Sequence, residues 1–143
     1  TLAGKAPGSE DFCVDAGSSP GGWTWALALS GARVLSVDRA DLDPRVLAMS
    51  GVEYRRGDAF ALKPGELGAV DWLCSDVICY PPKLFEWVSE WLDSGLARNF
   101  VCTIKMQGAD WDRATTAKFA AIPGSRVTHL WHNKRELTWT LIR

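Results

Sequence analysis

Short apolar runs alternate with amphipathic stretches along most of the chain, and glycine, proline or aspartate separates them. The runs FCV, VLSV and VDWLC have the length of buried strands, whereas PPKLFEWVSEWLDSGL repeats its apolar residues at helical spacing. Strands that alternate with helices predict an α/β fold with a mostly parallel sheet and right-handed crossovers. The chain is therefore expected to form one Rossmann-like domain over residues 1–143.

The same pattern predicts where each element lies. The predicted strands cover residues 11–17, 32–38, 52–58, 70–76 and 99–106, with an antiparallel hairpin of 125–133 and 136–143 closing the sheet. The predicted helices cover residues 21–31, 42–51, 81–96 and 110–122. Asp43 and Asp110 are the expected caps of the second and fourth helices, and Gly95 the expected stop of the third.

Composition narrows the class of protein. The 143 residues are 47% hydrophobic and 23% charged, which is typical of a soluble globular domain. No apolar run approaches the roughly 20 residues that span a bilayer, and the first residues lack the pattern of an export signal. The four cysteines have no metal-type spacing, so we expect buried reduced thiols and a cytoplasmic location.

Charge is unevenly distributed along the chain. Up to residue 97 there are 8 basic and 14 acidic residues, a net −6, and from residue 98 onward there are 8 basic and 3 acidic residues, a net +5. A basic C-terminal third can face a polyanion such as RNA, although solvated helix and strand faces explain it equally well. Lys134 and Arg135 are the candidates for phosphate contacts.

Four aspartates mark the ends of predicted strands: Asp15, Asp38, Asp58 and Asp76. In a parallel sheet these ends meet at one edge, where ligands bind. After the first strand comes the turn DAGSSPGGW, whose glycine spacing differs from the G-x-G-x-x-G of dinucleotide-binding turns. Such a turn suits a ligand that needs close backbone approach without a pyrophosphate, and S-adenosylmethionine meets that description.

The motifs DAGSSPGGWTWAL, VLSVD, RRGDAF, DWLCSD, CTIK and LWHNKRELTW, in that order, resemble the FtsJ-like family of ribose 2′-O RNA methyltransferases, and among them the type that acts on large-subunit ribosomal RNA. The resemblance runs from about Phe12 to the end of the chain. It implies a methyltransferase fold, S-adenosylmethionine as cofactor and RNA as partner.

The resemblance also implies the cofactor site. Asp38 would hold the ribose hydroxyls and Asp58 the adenine amino group, while the glycine turn would hold the methionine part. The full set of implied cofactor residues is Gly17, Ser18, Pro20, Gly21, Gly22, Trp23, Asp38, Asp58 and Asp76.

Catalytic roles are carried over in the same way. The family uses a Lys-Asp-Lys-Glu set, whose last three members match Asp76, Lys105 and Glu136. Lys105 would be the base for the ribose hydroxyl, because a neutral lysine accepts a proton and burial beside a sulfonium favours the neutral form. Asp76 and Glu136 would orient it.

The first lysine of that set has no match. Lys5 lies in a lead-in loop and is not assigned the role. We therefore expect a missing N-terminal segment with that lysine and an RNA-binding region, and a chain that binds S-adenosylmethionine but methylates RNA weakly.

Three alternatives remain open. The same cofactor can serve another acceptor, although a nitrogen or carbon acceptor has no need of Lys105 and Glu136. The chain can also be a cofactor-binding or RNA-binding module without turnover, which the unmatched lysine favours. An NAD oxidoreductase is disfavoured by the turn spacing.

The histidines and the paired tryptophans are given structural interpretations. The spacing around His129 and His132 predicts no metal site. For Trp87 and Trp91 we expect core packing or a docking face rather than base stacking.

Overall fold

The computed structural model describes residues 4–143 as a seven-stranded sheet flanked by helices. The strands are β1 (Phe12–Ala16), β2 (Arg33–Asp38), β3 (Val52–Arg56), β4 (Val70–Ser75), β5 (Ala97–Lys105), β6 (Ser125–Thr128) and β7 (Glu136–Leu141). The helices are α1 (Gly22–Leu29), α2 (Pro44–Leu47), α3 (Pro81–Ser94) and α4 (Arg113–Ala120), and Ala59–Ala61 form a 3₁₀ turn.

The sheet has the strand order β3-β2-β1-β4-β5-β7-β6. The first five strands along the chain pair in parallel, whereas β7 lies between β5 and β6 and is antiparallel to both. The order reverses between β1 and β4, because the chain first builds outward to β3 and then crosses back. The predicted α/β class, the mostly parallel sheet and the antiparallel closing hairpin are confirmed.

Large aromatic side chains fill the core beside α3 and α4. Trp87, Trp91 and Trp139 are almost fully buried, and the Trp87 indole donates a hydrogen bond to the Leu62 carbonyl at 3.1 Å. Trp139 packs on the rings of Phe100 and Phe119. Core packing of the two α3 tryptophans is thus confirmed.

Several predicted boundaries differ from the structure. The second helix is only Pro44–Leu47, capped by Asp43 as expected, and the strand predicted to reach residue 133 ends at Thr128. The cap of α4 is Asp112, not Asp110: an Asp112 carboxylate oxygen accepts a hydrogen bond from the Thr115 amide at 2.8 Å. Either aspartate fits the local pattern, and the long loop after β5 decides which one lies at the helix start.

The four cysteines are free thiols, and three of them are buried. In the part of the chain that the structure describes, no helix is long and apolar enough to cross a membrane. Residues 4–143 likewise contain no cluster of His, Cys, Asp and Glu suited to a metal ion.

Candidate active site

A cleft of about 370 Å³ opens where the carboxyl ends of the parallel strands meet. Its lining includes Asp38 at the end of β2, Asp58 and Asp76 after β3 and β4, and Gly17 after β1. This is the position in which open α/β sheets bind ligands, at the point where the strand order reverses. Three of the four strand-end aspartates therefore meet, as predicted.

The turn after β1 approaches its neighbours too closely for a side chain. Gly17 has φ +81, and a Cβ there would lie 2.5 Å from Val77 Cγ2 and 3.0 Å from the Val77 Cα. The Gly17 amide donates a hydrogen bond to the Val37 carbonyl at 2.8 Å, and the Ser19 amide donates to an Asp38 carboxylate oxygen at 2.9 Å. Glycine is thus needed at position 17, both for its backbone angle and for the space.

The other predicted turn residues lie apart from the cleft lining. Pro20, Gly21 and Gly22 border a neighbouring cavity beside α2, and Gly21, at φ 124, is the N-cap of α1. The Trp23 side chain packs against the smaller core cluster and borders a groove lined by Trp72 and Ile142. Cofactor contacts by these four residues stay predictions.

Asp38 and Asp58 are fixed by backbone amides. The two Asp38 oxygens accept hydrogen bonds from the Ser19 and Ala40 amides, each at 2.9 Å. Asp58 accepts from the Phe60 amide at 3.0 Å and from the Arg39 guanidinium at 3.1 Å. These two donors, the amide first, lower the pKa of Asp58. Both carboxylates keep lone pairs for a ligand that offers hydroxyl or amino donors.

Asp15 corrects the expectation that all four aspartates reach the cleft. Its side chain is fully buried, and one oxygen accepts a hydrogen bond from the Thr24 hydroxyl at 2.7 Å. The other oxygen has no partner among residues 4–143, and the same holds for the buried hydroxyl of Ser18. Burial raises the pKa of Asp15 to about 6. Asp15 pairs with Ser36 and Cys74, two positions before Asp38 and Asp76, so its carboxyl lies within the sheet beside Thr24 of α1 and not at the strand ends.

Lys105 lies between two carboxylates. Its ammonium nitrogen is 3.2 Å from Asp76 Oδ1 and 3.9 Å from Glu136 Oε1, and only 14% of its side chain is exposed. Lys105 and Glu136 are direct partners in the β5–β7 ladder, and the Met106 amide donates to the Arg135 carbonyl at 3.0 Å just beyond them. The structure thus brings together the three residues assigned to catalysis.

A second cavity, of about 470 Å³, adjoins the cleft at Lys105 and Ile78. Met106 and Gln107, directly after β5, and residues 132–136, which lead into β7, form the rest of its lining. A group of two linked cavities with one lysine at their junction can hold a donor molecule in one and an acceptor in the other. Lys5 lies elsewhere, in the groove beside Trp23.

Sequence reasoning missed several residues of the cleft. Arg39, Phe60, Ile78 and Lys83 line it, and the Lys83 ammonium lies 5.4 Å from the centre of the Phe60 ring. Arg39 directly follows Asp38, so its position at the end of a predicted strand could have indicated that it lies at the cleft. Lys83 reaches the cleft from the first turn of α3, and no local pattern marks it.

Fold and cleft together define an α/β domain with a cleft at the carboxyl ends of its parallel strands. A family model described as FtsJ-like methyltransferase matches residues 3–107. Ribosomal RNA large subunit methyltransferase M of Aromatoleum aromaticum is 34% identical over 134 residues, which is 87% of this chain and 36% of that protein. The chain belongs to the FtsJ-like methyltransferase family.

A second relative agrees with that assignment, and a solved structure agrees with the fold. The relative of the same description from Halorhodospira halophila is 32% identical over 144 residues, covering 94% of this chain and 40% of its own length. Phosphoethanolamine N-methyltransferase 1 of Haemonchus contortus, solved with phosphoethanolamine and S-adenosylhomocysteine, superposes with a TM-score of 0.67 at 16% identity, covering 97% of this chain and 40% of that one. That likeness shows the fold. The chain spans two fifths or less of the length of these two curated relatives.

Proposed function

We propose that the chain binds S-adenosylmethionine and transfers its methyl group to a ribose 2′-hydroxyl of RNA, with large-subunit ribosomal RNA as the substrate. The observation that carries the proposal is the position of Lys105. Its ammonium group lies where a cleft lined with hydrogen-bond acceptors meets a second cavity, and it is held between Asp76 and Glu136.

The cleft fits the cofactor. Asp38 and Asp58 are anchored by backbone amides and offer acceptors for ribose hydroxyls and an adenine amino group, and Phe60 supplies an apolar wall. Asp76 offers a carboxylate at the end of the cleft that contains Lys105. S-adenosylmethionine, when bound, supplies a methyl group on a sulfonium and leaves as a neutral thioether.

The residues of the chain provide orientation and a proton acceptor. The acceptor hydroxyl loses its proton as its oxygen forms the new bond to carbon. Lys105 Nζ is the group placed to receive that proton, after it has released one of its own to solvent and become a neutral amine. Asp76 and Glu136 restrict where the Lys105 nitrogen can lie. Fixing the base and the acceptor in one geometry lowers the entropic part of the barrier.

The identity of the acceptor rests on the relatives. Those at 32 to 34% identity are described as ribosomal RNA large subunit methyltransferases, and the Lys105 and Glu136 pair suits a hydroxyl, which must lose a proton, better than a more nucleophilic nitrogen. A module that binds cofactor or RNA without turnover is the second candidate. It is favoured by Lys5, which lies in the groove beside Trp23 and not at the cleft.

Calorimetric titration with S-adenosylmethionine tests the first step. We expect saturable one-to-one binding, loss of binding in Asp38→Ala and wild-type binding in Asp41→Ala, a nearby exposed aspartate outside the cleft. Binding of NAD in place of S-adenosylmethionine would refute the assignment.

Transfer of a labelled methyl group to large-subunit ribosomal RNA, with mapping of 2′-O-methyl positions, tests the second step. Lys105→Met should abolish transfer and keep cofactor binding. Methylation of a base, or Lys105→Met turnover equal to the wild type, would refute the proposed acceptor chemistry. Cofactor binding without any transfer would favour the module.

A further inference from the structure

We infer that the cavity beside Lys105 receives a single nucleotide turned out of its RNA strand, with its base against Trp131 and its backbone beside Lys134. The inference rests on the proposed function, because it takes Lys105 as the group that meets the hydroxyl. It adds the form in which RNA is recognised and the residues that recognise it.

The recessed position of Lys105 requires a displaced nucleotide. The lysine side chain is 14% exposed and lies where the cavity adjoins the cleft. A ribose within a double helix is flanked by its neighbours and by phosphates, so its hydroxyl cannot enter a recess of about 470 Å³. A nucleotide that leaves the stack can enter, and proteins recognise single-stranded RNA in this way.

Exposed apolar side chains lie on the chain segments that line this cavity. Ile78 lines it, Tyr80 follows two residues later, and both are more than two-thirds exposed. Trp131, in the loop between β6 and β7 directly before the lining residue His132, is 94% exposed. Packing within this domain therefore does not explain Trp131. A base stacked on an exposed ring is stabilised regardless of its sequence, which suits Trp131 to an unpaired nucleotide.

The charge around the cavity is positive. Its lining includes Lys105, Lys134 and Arg135 against Glu136, and Asp76 of the adjoining cleft lies 3.2 Å from Lys105, so one positive charge remains in excess. An Arg135 guanidinium nitrogen donates hydrogen bonds to the Gly108 and Ala109 carbonyls, at 2.8 and 3.0 Å, and so ties the loop after β5 to the one before β7.

Lys134 is exposed, and among residues 4–143 it forms no ion pair. A free ammonium beside an exposed aromatic ring matches a phosphate next to a base. An acidic peptide would use the positive charge but would leave Trp131 unexplained.

Fluorescence anisotropy with a labelled 12-nucleotide unstructured RNA, and with a blunt duplex of the same sequence, tests the inference on the 143-residue chain. We expect the single strand to bind at least about fivefold more tightly. Trp131→Ala should weaken single-strand binding by about 5-fold to 150-fold, the range that loss of one base stack gives, and Trp131→Phe should restore most of it. Trp25→Ala is the control, since Trp25 is exposed on α1 and borders a different cavity.

Lys134→Gln should lower the slope of log affinity against log salt by about 1, as expected for one lost phosphate contact. Equal affinity for duplex and single strand, or a Trp131→Ala variant that binds like the wild type, would overturn the inference. Cofactor binding measured on the same samples separates the two proposals. If the chain binds S-adenosylmethionine but neither RNA, only this inference is overturned. If the chain binds RNA but not S-adenosylmethionine, the proposed function is overturned.

Discussion

Replacing the buried carboxyl of Asp15 with an amide should change how the stability of the domain depends on pH. Asp15 is fully buried, and burial raises its pKa from 3.8 to about 6 in the folded protein. A carboxyl with a raised pKa binds its proton more tightly in the folded state than in the unfolded state. Its contribution to stability is therefore complete below pH 3.8 and is lost as the pH rises to about 6.

The size of the effect follows from the shift. A difference of roughly 2 units corresponds to about 3 kcal/mol, because each unit is worth about 1.4 kcal/mol. The Asp15→Asn side chain carries no charge at any pH and keeps an oxygen for the Thr24 hydroxyl. Relative to the wild type, we expect Asp15→Asn to gain about 2.5 kcal/mol of unfolding free energy between pH 4 and pH 7.5, or roughly 5 to 10 °C in Tm.

Urea denaturation of both proteins at half-unit steps of pH measures this difference directly. Groups that titrate alike in the two proteins cancel in the difference between their unfolding free energies. Any effect of the amide that does not depend on pH shifts that difference by a constant, so only its change with pH is interpreted. Asp43→Asn is the matched control. A hydrogen bond from Arg45 lowers the pKa of Asp43 to about 2, so its stabilisation is lost only as the pH falls from about 4 to 2, and its difference from the wild type should stay level from pH 4.5 to 7.5. A level Asp15→Asn difference over that range would refute the reasoning.

Three further predictions concern the turn, a helix cap and the thiols. Gly17→Ala should abolish S-adenosylmethionine binding in calorimetry, because the added Cβ meets the Val77 backbone at 3.0 Å; wild-type affinity would contradict this. Asp112→Ala should lower the unfolding free energy by about 1 kcal/mol, because Asp112 caps α4. Asp110→Ala should lower it by much less, and equal losses in the two variants would contradict the assignment of Asp112 as the cap. With a thiol reagent, reaction before unfolding should be confined to Cys79, which is partly exposed, because the other three thiols are buried: Cys13, Cys74 and Cys102. Rapid reaction of all four would contradict this.

Local pattern was sufficient for much of the fold. Apolar runs, helical spacing and turn residues predicted the strands, the helices and the closing hairpin, because each signal lies within about ten neighbouring residues. It was less reliable at boundaries, as the cap of α4 shows. Asp110 and Asp112 satisfy the same local rule, and only the path of the preceding loop selects Asp112.

The residue types of the candidate site were also readable in the sequence. Aspartates at strand ends and a glycine turn without phosphate spacing pointed to the cleft, and Gly17, Asp38, Asp58 and Asp76 do line it. How deep a strand-end side chain lies was not readable. Asp15 also follows an apolar run, yet it pairs with Ser36 of β2, two positions before Asp38, and its carboxylate accepts a hydrogen bond from Thr24 of α1. The register between strands therefore buries Asp15 and leaves Asp38 at the cleft.

Tertiary structure alone decided what lies beside Lys105. Glu136 is 31 positions away in the sequence, and the β5–β7 ladder makes the two residues direct partners. The junction of the two cavities and the link from Arg135 to the loop after β5 likewise depend on strand pairing between distant segments. Local composition determines which residues prefer a strand, a helix or a turn, whereas register and strand order come from the packing of the whole sheet. The sequence by itself therefore determined the class of fold and the chemistry available, and the tertiary structure decided which of those groups meet.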